Sequence, residues 1–364
     1  MKVSSVVESD LDYICEQANS EIVQLRNKRV LIVGGAGFLG YYLVQSLVWF
    51  NKINNAEIKI SVLDNFKRGR PDWLDVLHKE GAIEVFEADI TKALDDQFPS
   101  SEFIIHAASI ASPIFYRQHP IETMDANVNG LRNLLNYYLR CRDDFGANVE
   151  GFLYFSTSEI YGDPSPEFIP TSEEYRGFVS CTGPRACYDE SKRYGETLSV
   201  NFAEVYDLDI KIARPFNNFG PGLKISDGRV IADFSKNILS NENIMLFSDG
   251  TPTRTFCYVA DAIVGYFKVL VRGHKAESYN IGIEDPEISI RELARMMTEE
   301  AAELFNYQGE VVFANSEDEF YLTDNPNRRC PSILKARNHL NFNPQISLRD
   351  GVNRSLRWYK ENPL

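Results

Sequence analysis

The sequence predicts an α/β fold: a Rossmann-type, doubly wound parallel sheet with a smaller α/β lobe at the C-terminal side. Short apolar segments alternate with helical segments up to Pro215, and such alternation builds a parallel sheet covered on both faces. A glycine-rich turn joins the first strand to a helix, which is a usual place for a dinucleotide pyrophosphate. We therefore predict a helical extension over residues 1–28, a dinucleotide-binding domain over residues 29–214 and a substrate-binding lobe over residues 215–364, with some strands exchanged between the lobes.

The composition is typical of a globular protein in water, with 44% hydrophobic and 25% charged residues. The net charge of −14 argues against nucleic acid or an anionic membrane surface as the main partner. A run of about 18 apolar residues is lacking, so we expect no membrane span. The 6 cysteines are scattered without a Cys-x-x-Cys pair, which favours reduced thiols in the cytoplasm over a disulfide framework or a metal site.

Residues 1–27 have the pattern of an amphipathic helix that precedes the first strand. The predicted apolar face consists of Leu11, Ile14, Cys15, Ala18, Ile22 and Leu25. We expect this helix to pack on the domain that follows it or on another subunit.

The glycine-rich turn lies between an apolar strand at residues 30–33 and an apolar helix that begins at residue 41. Gly34 permits the tight turn, Gly37 lets the backbone approach a pyrophosphate, and Gly40 allows close packing of helix on strand. A strand before and a helix after the glycines make the pattern specific for a dinucleotide.

A second strand, at residues 58–63, is followed by Asp64. A carboxylate at this strand end accepts hydrogen bonds from ribose hydroxyls and repels a 2′-phosphate, so it favours NAD over NADP. The cations Lys67, Arg68 and Arg70 follow closely and would suit a phosphate, so the choice between the two cofactors stays open at this point.

Further strands are predicted at residues 83–86, 103–109, 152–155 and 210–215, and helices at residues 127–142, 231–240, 260–271, 290–304 and 348–360. One strand breaks into the small residues Ala107, Ala108 and Ser109, which let a cofactor lie against the backbone. Residues 157–159 follow another strand. Because ligands bind beyond the carboxyl ends of parallel strands, both segments are candidate site residues.

Tyr188 and Lys192 are separated by about one helical turn, which places a phenol and an ammonium on one helix face. A nearby cation favours the phenolate, and such a base suits the oxidation of a secondary alcohol. The spacing is frequent by chance, so its value depends on the surrounding motifs.

Residues 34–40, 156–162 and 214–217 and the Tyr188/Lys192 pair together resemble the extended short-chain dehydrogenases that act on nucleotide sugars. Within that family the resemblance is strongest to the UDP-glucuronic acid decarboxylases (UDP-xylose synthases). It is carried by residues 156–164, 183–190, 192–193, 227–230 and 329–333.

The resemblance implies a catalytic role for five residues. Tyr188 would take the proton of the sugar 4-hydroxyl, Lys192 would lower the pKa of Tyr188, and Thr157 would hydrogen-bond the same hydroxyl. Glu159 would act near the sugar C5 atom, and Arg329 would pair with the sugar carboxylate.

Two sets of binding residues are also implied by the resemblance. The cofactor set is Gly34, Gly37, Phe38, Leu39, Asp64, Asn65, Asp89, Ile90, Ala107, Ala108, Ser109, Asn127, Tyr188, Lys192 and Pro215. The substrate set is Ser112, Tyr116, Ser158, Glu159, Arg185, Asn217, Arg229, Val230, Arg254 and Arg329. Within the substrate set, the nucleotide diphosphate is expected to contact Asn217, Arg229 and Arg254.

The implied reaction is decarboxylation of UDP-glucuronate to UDP-xylose or a 4-keto pentose, with a tightly bound NAD that ends as it began. Once C4 is a ketone, the C6 carboxylate is β to a carbonyl, so CO₂ leaves as electrons flow into an enolate. The family also implies a homodimer through a four-helix contact of residues 127–142 and 188–205; the alternative is packing of these helices within one subunit.

Several features leave other activities open. Residues 189–192 are Asp-Glu-Ser-Lys where these decarboxylases have Asp-Glu-Gly-Lys, and residues 110, 114 and 115 also depart from the pattern. The alternatives are a nucleotide-sugar 4-epimerase, a 4,6-dehydratase, a 4-dehydrogenase and a non-catalytic NAD-binding protein. Ser158 argues against a dehydratase, because those relatives carry an acidic aspartate there. The intact set of Thr157, Tyr188 and Lys192 argues against a role in binding alone.

Overall fold

The computed structural model describes residues 4–94, 98–146, 148–314, 323 and 325–362. Its strands are β1 Arg29–Val33, β2 Lys59–Asp64, β3 Glu84–Glu87, β4 Phe103–His106, β5 Gly151–Phe155, β6 Ile210–Pro215, β7 Asn218–Phe219, β8 Ile244–Leu246, β9 Thr253–Arg254, β10 Cys257–Tyr258, β11 Ser278–Ile281, β12 Ile288–Ser289, β13 Val311–Phe313 and β14 Arg328–Arg329.

The helices are α1 Ser5–Gln17, α2 Asn19–Ile22, α3 Phe38–Asn54, α4 Asp72–Lys79, α5 Pro113–Gln118, α6 Pro120–Asp125, α7 Leu131–Asp143, α8 Ala186–Val205, α9 Val230–Leu239, α10 Val259–Arg272, α11 Ile290–Phe305, α12 Leu334–Leu340 and α13 Leu348–Glu361. A π-helical segment, Ala126–Gly130, joins α6 to α7. Within the described ranges, no helix has both the length and the apolar character needed to cross a membrane.

Among the described residues, seven strands form one parallel sheet in the order β11-β6-β5-β4-β1-β2-β3. The central strands are apolar and buried on both faces, as expected where helices cover a parallel sheet. The order reverses between β1 and β4, and the crevice outside their carboxyl ends is the usual ligand site of such a sheet. This arrangement confirms the predicted Rossmann-type α/β fold.

The C-terminal half contributes to this sheet and also builds smaller ones. Strand β11 lies beyond the predicted boundary at residue 214 but pairs with β6, and the boundary itself stays a prediction. Strands β12, β9 and β14 form a short sheet of their own. In it β9 and β14 are parallel, with Arg254 directly opposite Arg329.

The N-terminal extension was predicted as a single helix but consists of α1, α2 and a 3₁₀ segment, Val23–Leu25. The chain departs from helical geometry at Ala18, where φ is −110° and ψ is 18°. The predicted apolar face is buried, and α1 packs on α3 and α10. The extension is therefore part of the same core as the sheet and the C-terminal lobe.

Candidate active site

A large cavity opens at the carboxyl ends of the sheet strands and is lined by residues from both halves of the chain. Its volume is about 900 Å³, and a smaller cavity of about 160 Å³ adjoins it. The two cavities share wall residues, including Gly34, Gly37 and Ala107. In the part of the chain that the structure describes, no group of three or more His, Cys, Asp or Glu side chains is arranged to hold a metal ion.

The glycine-rich turn is packed too closely for larger side chains. A Cβ atom on Gly34 would lie 2.6 Å from the Cα atom of Ala108, and Gly34 has φ +81°. A Cβ atom on Gly40 would lie 2.5 Å from the Gly34 carbonyl oxygen. Because α3 begins at Phe38, directly after this turn, its first backbone N–H groups are free to bind an anion. This cradle fits the pyrophosphate of a dinucleotide.

Asp64 follows the same cradle at the end of β2. Its carboxylate accepts hydrogen bonds from the backbone N–H groups of Ala36 at 3.1 Å and Phe66 at 2.9 Å. Burial raises the pKa of Asp64, and the hydrogen bonds from Phe66 and Ala36 oppose that rise. Asp64 lines the smaller cavity, in the position expected for a group that receives ribose hydroxyls.

The three cations that follow Asp64 each lie within ion-pair distance of a carboxylate: Lys67 with Asp89 at 3.7 Å, Arg68 with Asp227 at 3.0 Å, and Arg70 with Asp75 at 2.7 Å. A 2′-phosphate would have to compete with these carboxylates and with Asp64. The geometry therefore favours NAD over NADP.

Most of the predicted cofactor residues line the two cavities: Gly34, Gly37, Phe38, Leu39, Asp64, Asn65, Ile90, Ala107, Ala108, Ser109, Tyr188, Lys192 and Pro215. Asp89 and Asn127 are not wall residues of either cavity. The side chain of Asp89 accepts a hydrogen bond from the Thr91 N–H at 3.0 Å. Sequence analysis missed Val33 and Ala88, because a small or apolar residue at a strand end has no chemical signal of its own.

Asn127 connects the cofactor side of the cavity to the Tyr188 helix. Its Oδ1 atom accepts a hydrogen bond from the Ser109 hydroxyl at 2.7 Å, and its Nδ2 atom donates to the Ser191 hydroxyl oxygen at 2.8 Å. Ser191 in turn donates to the Cys187 carbonyl oxygen at 2.6 Å. Ser191, which departs from the decarboxylase pattern, is thus linked through Asn127 to the wall residue Ser109.

Tyr188 and Lys192 project from the first two turns of α8, as their spacing predicts. The ring of Tyr188 stacks on Tyr116 with ring centres 5.0 Å apart and planes at 7°. The ammonium of Lys192 lies 6.0 Å from the centre of the Tyr188 ring and donates to the Phe155 carbonyl oxygen at 2.7 Å. Both side chains line the large cavity.

The protonation of this pair is set mainly by burial. Burial raises the pKa of Tyr188 to about 12, although a hydrogen bond with Thr157 opposes the rise. Burial also lowers the pKa of Lys192 to about 7. The lowering of the Tyr188 pKa by Lys192 stays a prediction, and Lys192 itself donates to the Phe155 carbonyl oxygen. With a pKa of about 12, Tyr188 is a neutral phenol in this structure.

Two arginines from distant parts of the chain converge on Glu159. Arg329, on β14, binds both carboxylate oxygens, with Nη1 2.6 Å from Oε1. Arg185, just before α8, donates to Oε2 from another direction. Arg254, opposite Arg329, donates to nearby backbone carbonyl groups, the shortest contact being 2.6 Å. All four side chains line the large cavity.

The cluster carries more positive than negative charge. Burial would raise the pKa of Glu159, but Arg185 and Arg329 outweigh it and lower that pKa to about 2. Burial and Glu159 raise the pKa of Asp189, which lies 3.6 Å from Arg185, to about 7. Burial, reinforced by Arg329, lowers the pKa of Arg254 to about 9. Three guanidinium groups thus surround one firmly ionised carboxylate, and this setting favours the binding of an anion.

The remaining predicted substrate residues also line the large cavity: Ser112, Tyr116, Ser158, Asn217, Arg229 and Val230. The structure adds Asp227, which lines both cavities and which sequence analysis missed. The signal was present, because Asp227 stands in the same short stretch as Arg229. Met245 and Asn325 are further wall residues, and no local pattern marks either of them.

Comparison with known proteins places this geometry in a family. The sequence profile described as "NAD dependent epimerase/dehydratase family" matches residues 30–282. The UDP-glucuronic acid decarboxylase 6 of Arabidopsis thaliana is 36% identical over 334 residues, which are 92% of this chain and 89% of that protein. The UDP-glucuronic acid decarboxylase 1 of Xenopus tropicalis is 34% identical over 334 residues, which are 92% of this chain and 72% of that protein.

Solved structures agree in fold. An epimerase from Methanothermobacter thermautotrophicus has a TM-score of 0.77 and 26% identity, with 96% of each chain covered. A dTDP-glucose 4,6-dehydratase from Streptomyces venezuelae, solved with NAD bound, has a TM-score of 0.77 and 25% identity, with 92% of this chain and 97% of that chain covered. With the glycine cradle, the Tyr188/Lys192 pair and these relatives together, the chain belongs to the NAD-dependent epimerase/dehydratase family of extended short-chain dehydrogenases.

Proposed function

We propose that the protein is an NAD-dependent decarboxylase of UDP-glucuronate that works through a 4-keto sugar and yields UDP-xylose or the 4-keto pentose. The observation that carries the proposal is that Arg185 and Arg329 both bind the carboxylate of Glu159, in the cavity that Tyr188 also lines. Two guanidinium groups that face the cavity suit a sugar acid better than a neutral sugar.

The cofactor would be held by the glycine cradle, Asp64 and the small residues after β4. When bound, NAD would supply a hydride acceptor for the sugar C4 position and the positive charge of its oxidised nicotinamide ring. Tyr188 would take the proton of the sugar 4-hydroxyl, with Thr157 hydrogen-bonding that hydroxyl. Lys192 would stabilise the phenolate and hold the nicotinamide ribose.

Glu159 fills, in the free protein, the place that the resemblance gives to the sugar carboxylate. A sugar carboxylate that binds Arg329 would weaken the ion pair between Arg329 and Glu159. Because the low pKa of Glu159 is due to Arg185 and Arg329, that pKa would then rise and Glu159 would become a better proton donor at C5. Arg329 would orient the departing carboxylate without neutralising it, since only contacts that strengthen in the transition state accelerate the reaction.

A test follows from the chemistry. The purified protein with UDP-glucuronate and NAD is expected to release CO₂ and form UDP-xylose or its 4-keto precursor. Tyr188→Phe is expected to abolish this turnover while the far-UV circular dichroism stays unchanged. If UDP-glucuronate is inert while UDP-glucose or dTDP-glucose is converted, the protein is instead a 4-epimerase, a 4,6-dehydratase or a 4-dehydrogenase.

Exposed apolar side chains on α8 and on α6, which continues through the π-helical segment into α7, support a homodimer through a four-helix contact of residues 127–142 and 188–205. Ile121 and Met124 on α6 are 64% and 44% exposed, and Tyr194 and Val205 on α8 are 46% and 71% exposed. We expect Val205→Glu to convert dimers to monomers in light scattering. Ile53→Glu, at a comparably exposed apolar position on α3, serves as the control that leaves dimers intact.

A cytoplasmic location stays a prediction. It is supported by the state of the cysteines, because all of Cys15, Cys141, Cys181, Cys187, Cys257 and Cys330 are free thiols.

A further inference from the structure

One carboxylate lies at the junction of the two cavities and pairs with an arginine on each side. Asp227 is 3% exposed and lines both the smaller and the large cavity. Its Oδ2 atom accepts a hydrogen bond from Arg68 Nη1 at 3.0 Å, and its Oδ1 atom lies 3.1 Å from Arg229 Nε. The same carboxylate therefore joins two cations from different parts of the chain.

Arg68 belongs to the cofactor side of this bridge. It lies in the loop after β2 and lines both cavities, and the wall of the smaller one also includes its neighbours Asp64 and Asn65. Its guanidinium also lies over the ring of Phe115, 4.5 Å from the ring centre. Its carbonyl oxygen accepts a hydrogen bond from the ammonium of Lys224. The loop after β2 is thus fastened to the segment that contains Lys224 and Asp227.

Arg229 belongs to the substrate side. It immediately precedes α9, lines the large cavity but not the smaller one, and is 34% exposed in its side chain. An anionic phosphate that binds Arg229 would compete with Asp227 for that guanidinium. The carboxylate of Asp227 would then interact more strongly with Arg68, because the two arginines share one negative charge.

We propose that Asp227 is a positioning residue that couples the two cavities, so that a bound nucleotide diphosphate tightens the Arg68–Asp227 contact and slows the release of NAD. The ligands of the two cavities are taken from the proposed function. Coupling between two binding sites is reciprocal, so bound NAD also strengthens nucleotide binding. This arrangement would let the substrate exchange while the cofactor stays bound from one turnover to the next.

The experiment follows the loss of isotopically labelled NAD from the holoenzyme after rapid desalting and a chase with unlabelled NAD. In the unaltered protein we expect UDP to slow this loss about five- to tenfold. In Arg68→Met, which keeps an unbranched side chain near Phe115 and removes the charge, we expect faster loss that UDP does not slow. Asp227→Asn is expected to show the same faster loss of NAD, again without an effect of UDP.

Arg70→Met is the matched control, because Arg70 lies in the same loop, pairs with Asp75 and covers the ring of Phe66 at 4.7 Å. It should keep the full effect of UDP on NAD release. The proposal is overturned if UDP slows release equally in Arg68→Met, or if Arg70→Met loses the effect as well. It is also overturned if none of UDP, dTDP and GDP slows release in the unaltered protein.

Assay of CO₂ release on the same preparation separates this inference from the proposed function. If CO₂ forms but nucleotides do not change the rate of NAD release, only the coupling is contradicted. A nucleotide effect on NAD release without CO₂ formation contradicts the decarboxylase assignment alone.

Discussion

Two carboxylates of this protein both pair with arginine but differ in charge balance. Asp10, in the N-terminal extension, accepts hydrogen bonds from Tyr42 at 2.7 Å and Tyr258 at 2.6 Å and pairs with Arg354 at 2.8 Å. Desolvation raises the pKa of Asp10 despite these partners. Glu159 is held by two arginines instead of one, and these lower its pKa to about 2, although burial acts in the opposite direction.

The surroundings explain why one cluster is structural and the other is a candidate for chemistry. Asp10 is fully buried and ties α1 to α3, β10 and α13, with each of its oxygens engaged. Glu159 faces a cavity, and its arginines have a further arginine, Arg254, beside them. A buried ion pair is therefore weak evidence of function by itself. An excess of one charge that faces open space is stronger evidence.

The largest expected difference between the two regions comes from replacing a glutamate in each of them by glutamine. We expect Glu159→Gln to lower kcat about 10²–10⁴-fold, because the amide neither transfers a proton nor responds to a competing carboxylate. The matched control is Glu21→Gln in the extension, where Glu21 is fully buried and lies 2.5 Å from Arg272 Nε. Glu21→Gln should change thermal stability and leave kcat unchanged, and equal losses of kcat in the two variants would contradict the distinction.

Arg329→Ala tests whether the excess charge recognises a carboxylate. Loss of charge-assisted hydrogen bonds is expected to raise KM for UDP-glucuronate about 10- to 100-fold and to change KM for a neutral UDP-sugar far less. Arg328→Ala is the neighbouring control, because the Arg328 side chain is 41% exposed and pairs with Glu287 at 2.6 Å. A similar rise in KM for acidic and neutral sugars would show that Arg329 is structural.

The parts of the molecule that sequence predicts well are those set by local pattern. The strand before Gly34, the helix after it and the turn that puts Tyr188 and Lys192 on one face all follow from residues close in sequence. The meeting of Arg329 with Glu159 does not, because it depends on β14 pairing with β9 in a register that no local pattern encodes. The sequence also does not predict the pKa of Tyr188, because that pKa is set by burial and not by spacing.

The Asp10 cluster was equally invisible in the sequence. Its members, Asp10, Tyr42, Tyr258 and Arg354, come from four separate parts of the chain, and each is an ordinary residue in its own segment. Apolar periodicity predicted which face of the extension is buried. It did not predict that Asp10 is buried on that face, because such a pattern registers only apolar residues. Polar contacts across the core require the folded arrangement before they can be recognised.

Asp10→Asn tests the structural half of the comparison. The amide accepts hydrogen bonds at only one of its two terminal atoms, so a donor among Arg354, Tyr42 and Tyr258 loses its acceptor, which costs about 1–3 kcal/mol. We expect Tm to fall by roughly 2–8 °C, with little change in kcat. Asp12→Asn is the control on the same helix, because Asp12 is exposed and accepts a hydrogen bond from Trp49 at 2.7 Å. A loss of activity in Asp10→Asn without a loss of stability would contradict the structural role.

The smallest expected effect is the most specific, because it depends on the sign of the two pKa shifts. The folded pKa of Glu159 is about 2 against an ordinary 4.5, so its contribution to stability is complete above pH 4.5 and is lost as the pH falls towards 2. The folded pKa of Asp10 lies above its ordinary 3.8, so its contribution is complete below pH 3.8 and is lost as the pH rises through the folded pKa. As the pH falls from about 5 to about 3, the difference in Tm between the unaltered protein and Glu159→Gln should become smaller. Over the same change of pH, the difference in Tm between the unaltered protein and Asp10→Asn should become larger. Calorimetry of the three proteins across this range measures both slopes, and slopes of the same sign would mean that the two carboxylates do not differ in charge balance after all.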